Sequence, residues 1–227
     1  MSAPGPVIGV IDYGMGNRRS VQKALESAGA QAPITRDLDD LRRCQGLVLP
    51  GVGAFPLAMG NLGELGLDEL VRSQSAAGVP LLGICLGMQL LFEGSEELGS
   101  TPGLGMLPGR VTRLAAPGLP IPHIGWNEVR WARPSRLTEG LPPQGCPFYH
   151  VHSFAARPAA GEDVVATTEY GERFATIVAR ERVFGVQFHP EKSSGHGLRL
   201  LGSFVRLCQE ARGAGDPAST AALSARG

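Results

Sequence analysis

Residues 81–92 read LLGICLGMQLLF, and Cys85 stands between Gly83 and Gly87 inside this apolar run. The spacing G-x-Cys-x-G, between a predicted strand and a predicted helix, is that of a nucleophile elbow with cysteine in place of serine. Both glycines are needed, because side chains there would collide with the crossing strand and helix. Such a turn holds the sulfur out from the C-terminal edge of a sheet. It also sets it at a helix N-terminus, where the dipole favours a thiolate, and aims the Leu86 N–H at a developing oxyanion. A cysteine flanked by leucine and isoleucine equally fits an inert core residue. The elbow alone leaves both readings open, and a base decides between them.

The histidines are His123, His150, His152, His189 and His196. His189 lies in VFGVQFHPEKS, where an apolar strand ends at Phe188 and Pro190 is expected to keep the chain extended. In an extended chain residues i and i+2 share a side, so Glu191 can fix the His189 tautomer and stabilise its imidazolium. A strand-end histidine beside a solvated glutamate is common, and H-P-E alone says little. Joined to the elbow, it completes a set of nucleophile, base and orienter. A free thiol of pKa near ~8.5 is only a few per cent thiolate at pH 7, so a neighbouring imidazolium matters. Gly51, Val52 and Gly53 end another strand at the same sheet edge. Their amides, at Val52 or Gly53, are a candidate second oxyanion donor, worth roughly 10²- to 10³-fold in rate. The triplet fits a tight turn equally well. Its glycines leave the Val52 peptide free to turn over, which makes that donor a candidate switch.

These residues need a sheet edge to stand on. Residues 7–12 read as a buried strand, followed by the loop YGMGN and a helix with Val21, Ala24, Leu25 and Ala28 on one face, stopping near Gly29. Residues 46–50 and 79–84 read as two further strands. Each leads through a glycine loop into helical sequence, to about residue 61 and through LGMQLLFE. This alternation predicts an α/β fold: an open, mostly parallel twisted sheet with helices on both faces. After Gly99 the segments GRVTRL, NEVRW, PFYHVHSF, DVVATTEY, FATIVAR and VFGVQF are strand-like and are expected to extend that sheet with antiparallel additions. A helix over residues 197–210 is expected to bury Leu198, Leu201, Val205 and Cys208. Residues 1–210 therefore read as one domain, and 211–227 as a disordered tail.

Composition narrows the function. The 227 residues are 43% hydrophobic and 19% charged with zero formal net charge, as in an ordinary globular protein. Nothing in that balance favours nucleic acid or an anionic membrane. No apolar run approaches the ~20 residues of a span. The start MSAPGPVIGVIDYG lacks a positive n-region and apolar core, so the expected location is the cytoplasm. Cys44, Cys85, Cys146 and Cys208 form no C-x-x-C pair, against zinc or a disulfide framework.

Five segments, GICLGMQLLFEGSEE, LPGVGAFPLAMGNL, HIGWN, HVHSF and GVQFHPEKS, are together similar to the class I, triad-type glutamine amidotransferases. Within that family VIDYGMGNRRSV, GLGMLPGRV and IPHIGWNEV resemble the glutaminase subunits of imidazole glycerol phosphate synthase, of histidine biosynthesis. The likeness runs in order from about residue 7 to 204. It implies that Cys85 attacks the carboxamide of glutamine, that His189 moves the proton and Glu191 orients it, and that water hydrolyses the thioester. Gly51, Gly53, Gln89, His152, Ser153 and Phe154 match positions that hold glutamine. Tyr13, Asn17, Arg18, His123, Trp126, Asn127, Tyr149 and Lys192 match the side facing a partner. That partner would be a (βα)8-barrel cyclase, a separate polypeptide that consumes the ammonia to make imidazole glycerol phosphate and an aminoimidazole carboxamide ribotide. No metal or organic cofactor is implied.

The chain has only two lysines against nineteen arginines, which makes Lys192 beside the triad distinctive. Trp126 fits a core position as well as an interface. Arg18 stands where the family usually has leucine, and Phe154 where it has tyrosine. His150 makes an H-x-H pair with His152, a spacing that suits a metal but has no evident third ligand. Three other readings compete. One is a glutaminase feeding anthranilate, guanylate or pyridoxal phosphate synthesis, another a free-standing hydrolase of γ-glutamyl bonds, and the third an inactive scaffold. HIGWN and DYGMGN argue against the first, and the intact triad against the last. GMGN lacks the third glycine of a dinucleotide loop.

Overall fold

The computed structural model describes residues 5–215, the side chains of 212–215 excepted. In order the chain forms β1 (Ile8–Ile11), α1 (Arg18–Ser27), β2 (Ile34–Thr35), α2 (Leu38–Arg42), β3 (Gly46–Leu49), α3 (Phe55–Glu64) and α4 (Leu67–Ala76). There follow β4 (Leu81–Ile84), α5 (Leu86–Leu90), β5 (Phe92–Ser95), β6 (Thr101–Pro102), β7 (Leu107–Arg113) and β8 (His123–Trp131). The last elements are β9 (Cys146–His152), β10 (Phe154–Pro158), β11 (Val164–Tyr170), β12 (Glu172–Arg180), β13 (Val183–Val186) and α6 (Ser194–Gly215).

A nine-stranded sheet runs β2-β1-β3-β4-β13-β12-β11-β8-β9. Its β2, β1, β3, β4 and β13 are mutually parallel, and β12, β11, β8 and β9 add on antiparallel. Period-two alternation divides the short parallel strands between two cores. Ile8, Val10, Val48, Leu82 and Ile84 face α1 and α6, while Ile11, Leu47, Leu49 and Leu81 face α2 to α5. Both faces are covered, which is why these strands read as unbroken apolar runs. Among the described residues no helix is long and apolar enough to cross a membrane.

Several details depart from the sequence expectations. The helix expected over LGMQLLFE stops after Leu90, because its last carbonyls are captured from elsewhere. Leu90 O accepts Leu104 N at 2.8 Å, Leu91 O accepts Met106 N at 2.8 Å, and Phe92 O accepts Gly105 N at 3.0 Å. Phe92 therefore opens a strand. The additions after Gly99 are not all part of one sheet: β10, β7, β5 and β6 form a second, four-stranded sheet. PFYHVHSF is divided at Ser153, whose carbonyl accepts Leu114 N at 2.9 Å as the chain passes from β9 to β10. The short elements β2, α2, α4, β5 and β6 carry too little periodicity to have been expected. The closing helix begins at Ser194, and Leu198 is 43% exposed while Leu201, Val205 and Cys208 are buried. Residues 211–215 continue that helix, and the expected disordered tail otherwise lies outside the described residues.

Candidate active site

Cys85 links β4 to α5 with φ 55° and ψ −111°, an unfavourable backbone for a residue with a side chain. Packing holds it there. Its N–H donates to Val186 O at 2.7 Å. A Cβ on Gly87 would lie 1.8 Å from Leu49 O, and one on Gly83 would lie 2.6 Å from Gly87 O. Strand, turn and crossing helix thus meet at a distance that only glycine permits. Helix α5 is only five residues long, so the dipole expected at Cys85 is small. Electrostatics come from the facing side instead.

His189 leaves the end of the β13 segment, and its N–H donates to Tyr149 O at 2.9 Å. Pro190 does not keep the chain extended: Pro190–Lys192 is a 3-10 turn capped by His189. Buried Ser193 clamps the turn, accepting Tyr149 N at 3.0 Å and donating to His189 O at 2.7 Å. The turn brings Glu191 Oε1 within 2.9 Å of His189 Nδ1, with both side chains buried. Nδ1–H is committed to the carboxylate, which leaves Nε2 for Cys85. Burial acts to lower His189, but its hydrogen bonds to Cys85 and Glu191 and their negative charges prevail and push it up to about 10. Glu191 Oε2 is buried without a partner, so the carboxylate's charge acts on the imidazolium almost undamped by solvent. Burial pushes up the thiols of Cys44, Cys146 and Cys208, which marks them as unreactive core residues.

A cavity of about 240 Å³ opens over Cys85. It gathers Val52, Gly53, Leu86, Gln89, His152, Ser153, Phe154, His189 and Lys192 from separate parts of the sequence. Leu86 is the first residue of α5, so its N–H has no intrahelical acceptor. Gly53 has φ +108°, and Val52 is 43% exposed at the rim. Gly51 does not line the cavity. It packs behind it, where a Cβ would meet Tyr13 Oη at 2.7 Å and Leu86 Cβ at 2.8 Å. Glu191 lies behind His189, as an orienting group should. Sequence reasoning missed Glu97 and Val151 in the lining, and Gln187 beneath it. Glu97 arrives from the β5–β6 link and accepts Phe55 N at 2.9 Å, and no local motif marks it.

One wall of the cavity rests on three buried histidines. His152 Nδ1 donates to Phe154 O at 2.8 Å, which leaves Nε2 to accept from His123 Nδ1 at 3.1 Å. His123 Nε2 then accepts from Asn127 Nδ2 at 3.2 Å. His150 Nδ1 donates to Phe148 O at 3.1 Å, and Nε2 accepts from Thr176 Oγ1 at 2.9 Å. All three are neutral. Burial lowers His123 to about 4 and His152 to about 3, and lowers His150 far below its ordinary value. The H-x-H pair does acquire a neighbouring third histidine. Its lone pairs are spent on protein donors, and among the described residues no group of three ligands is arranged for a metal.

The residues expected at the partner side divide. Tyr13 and His123 are 1% and 2% exposed, so neither presents a side chain outward. Tyr13 instead donates to Pro50 O at 2.6 Å, beneath the Gly51–Gly53 turn. Trp126 is 52% exposed, stacked edge-on against Tyr149, with Ile124 60% exposed beside it. Asn127 and Asn17 are half-buried, Lys192 is exposed, and Arg18 pairs with Asp12.

A parallel sheet with helices on both faces and a cysteine, histidine and glutamate at its carboxyl edge defines a class of enzymes. The chain belongs to the family "Glutamine amidotransferase class-I", whose profile matches residues 9–207. It is 52% identical over 208 residues to "Imidazole glycerol phosphate synthase subunit HisH" of Moorella thermoacetica, covering 92% of this chain and 98% of that protein. The protein of the same name from Geobacillus thermodenitrificans is 48% identical, covering 88% and 96%. Among solved structures the fold is similar to "Crystal structure of glutamine amidotransferase" (TM-score 0.71, 24% identity, 89% of this chain and 98% of that one). It is also similar to "Structure of PurLQS from Thermotoga maritima" (TM-score 0.69, 21% identity, 89% and 99%).

Proposed function

We propose that this chain is the glutaminase subunit of an imidazole glycerol phosphate synthase, working in histidine biosynthesis with a separate (βα)8-barrel cyclase. The observation that carries the chemistry is Cys85 on its strained elbow, facing the buried His189–Glu191 pair across one cavity. His189 takes the Cys85 thiol proton, and the buried Glu191 carboxylate on its Nδ1 stabilises the imidazolium so formed. The Cys85 sulfur attacks the carboxamide carbon of L-glutamine, and the carbonyl oxygen takes the negative charge. The Leu86 N–H and a donor from Val52 or Gly53 stabilise that charge. His189 then protonates the departing nitrogen, and ammonia leaves a γ-glutamyl thioester. Neutral His189 next takes a proton from water, which attacks the thioester. Glutamate is released and the Cys85–His189 pair restored, so no metal or organic cofactor enters the balance.

Glutamine's amino-acid end fits the opposite side of the cavity. Gln89 and the Glu97 carboxylate face its ammonium, and the backbone at Ser153 and Phe154 faces its carboxylate. Gly51 and His152 support those walls from behind. The face bearing Trp126, Tyr149 and Lys192 suits the cyclase, while Asn127 lies on the other side of β8 beside His123, and Asn17 and Arg18 stand at the start of α1. We assign the chemistry to a single domain over residues 1–210 and the protein to the cytoplasm.

The test is ammonia release from glutamine by the purified chain, alone and with the cyclase and its nucleotide ligand. Low activity alone and a large rise with both is expected. High activity that the cyclase leaves unchanged would keep the triad chemistry and overturn the synthase assignment.

A further inference from the structure

Beneath the cavity lies a buried amide that the triad does not use. Gln187 follows β13, two residues before His189, and is wholly buried. Its Oε1 accepts from Gln89 Nε2 at 3.0 Å, and its Nε2 donates to Cys85 Sγ at 3.7 Å. An amide's nitrogen and oxygen ends are assigned from their partners, and here one partner allows no choice. Gln89 Nε2 also lies 3.0 Å from Phe154 O, a carbonyl that can only accept. Gln89 must therefore turn its nitrogen inward. Both of its hydrogens are then spent, on Phe154 O and on Gln187. The atom of Gln187 that meets Gln89 must be an oxygen, so the end that meets the sulfur is N–H. His152 Nδ1 donates to the same Phe154 carbonyl at 2.8 Å and holds that acceptor in place.

Two consequences follow. Gln89 is left with only its oxygen to offer the cavity, so it selects a ligand group that donates. Cys85 Sγ receives an N–H from a side with no solvent, and that bond is stronger when the sulfur is charged. We propose that Gln187 is a positioning residue for the Cys85 centre, taking the second hydrogen of the Gln89 amide that Phe154 O orients and donating to the nucleophile's sulfur. This rests on the glutaminase reading for what the cavity holds, but the contact with sulfur stands apart from it.

The two halves of the role separate in two variants. Gln187→Glu keeps an acceptor for Gln89 and puts an anionic oxygen against the sulfur. Gln187→Met has similar volume and removes both contacts. Each is assayed with the cyclase present for kcat and for KM toward glutamine. In the free chain, alkylation of Cys85 by iodoacetamide is followed at neutral pH. For Gln187→Glu, kcat and the alkylation rate are expected to fall at least tenfold with KM within about threefold. For Gln187→Met, KM is expected to rise about tenfold or more, since the Gln89 amide is then held by Phe154 O alone with one buried hydrogen unpaired, with a smaller loss of alkylation. Folded variants whose kcat, KM and alkylation all stay within twofold of wild type would overturn the proposal. So would losses that affect kcat and KM equally in both and follow their melting temperatures. An expected alkylation pattern in a chain that releases no ammonia even with the cyclase would sink the glutaminase reading and leave the contact with sulfur standing.

Discussion

On one side of the cavity, the path of the wall made by β4, Cys85 and α5 is set by close backbone packing. A Cβ on Gly83 would strike Gly87 O and one on Gly87 would strike Leu49 O, and the strained φ of Cys85 has nowhere to relax. On the other side, the wall made by β9 and β10 is set by side chains. His152, His123 and Asn127 form a directed series of neutral hydrogen bonds ending on Phe154 O. The first wall is rigid at any pH. The second holds only while its histidines are unprotonated, because a protonated His152 can no longer accept from His123. The backbone of the nucleophile is thus fixed by sterics, and the substrate-holding wall by polarity.

The largest effect should come from the steric wall. Gly87→Ala places a Cβ against Leu49 O, a backbone atom that cannot yield, and should cost on the order of 3 kcal/mol or more. A thermal melt beside wild type checks this. Next is the proton carrier. His189→Ala should lower kcat with the cyclase by roughly 10²- to 10⁴-fold in protein that still folds, with a lowered melting temperature from the Glu191 carboxylate left unpaired, read by steady-state kinetics and far-ultraviolet dichroism.

The polar wall gives a smaller, pH-dependent effect. Unfolded histidine binds a proton below about 6.5. His123 and His152 do so in the folded chain only near 4 and 3. The unfolded state therefore binds more protons, and stability falls as pH drops below about 6.5, by about 2 kcal/mol per histidine at pH 5. His189 has the opposite sign: held at about 10, it contributes stability below 6.5 that is lost as pH rises through 10. His150→Phe should cost about 1 kcal/mol at pH 7.5, where the Thr176 hydroxyl loses its acceptor. At pH 5 the same variant should be the more stable protein, and urea melts at the two pH values read the crossing. Smallest is Gly60→Ala, on a face of α3 with nothing near the new Cβ, which should stabilise by about 0.5–1 kcal/mol.

The same division explains what the sequence reveals. The elbow is local: strand, glycine, cysteine, glycine and helix lie within a dozen residues, and a motif can record them. The H-P-E contact is local too, although a 3-10 turn makes it rather than an extended chain. The parallel half of the sheet is legible because each β-loop-α unit repeats one pattern. The second sheet is not, because what ends α5 and starts β5 is a set of hydrogen bonds from residues 104–107. Glu97, Gln187 and the His123–His152 bond escape for the same reason, since each joins segments far apart in the chain. Tyr13 and His123 show the limit of likeness alone: they match a partner-facing pattern, yet their side chains support the site from within.

The most direct test of the central claim is to acid-quench the chain during turnover with isotopically labelled glutamine, in the presence of the cyclase and its nucleotide ligand, and to map the label by peptide mass spectrometry. A γ-glutamyl adduct on the peptide that carries Cys85, removed by hydroxylamine and absent in Cys85→Ala, is the expected result. Ammonia release that continues in Cys85→Ala, with no adduct on that peptide in wild type, would contradict it and leave Cys85 a buried thiol on a strained turn.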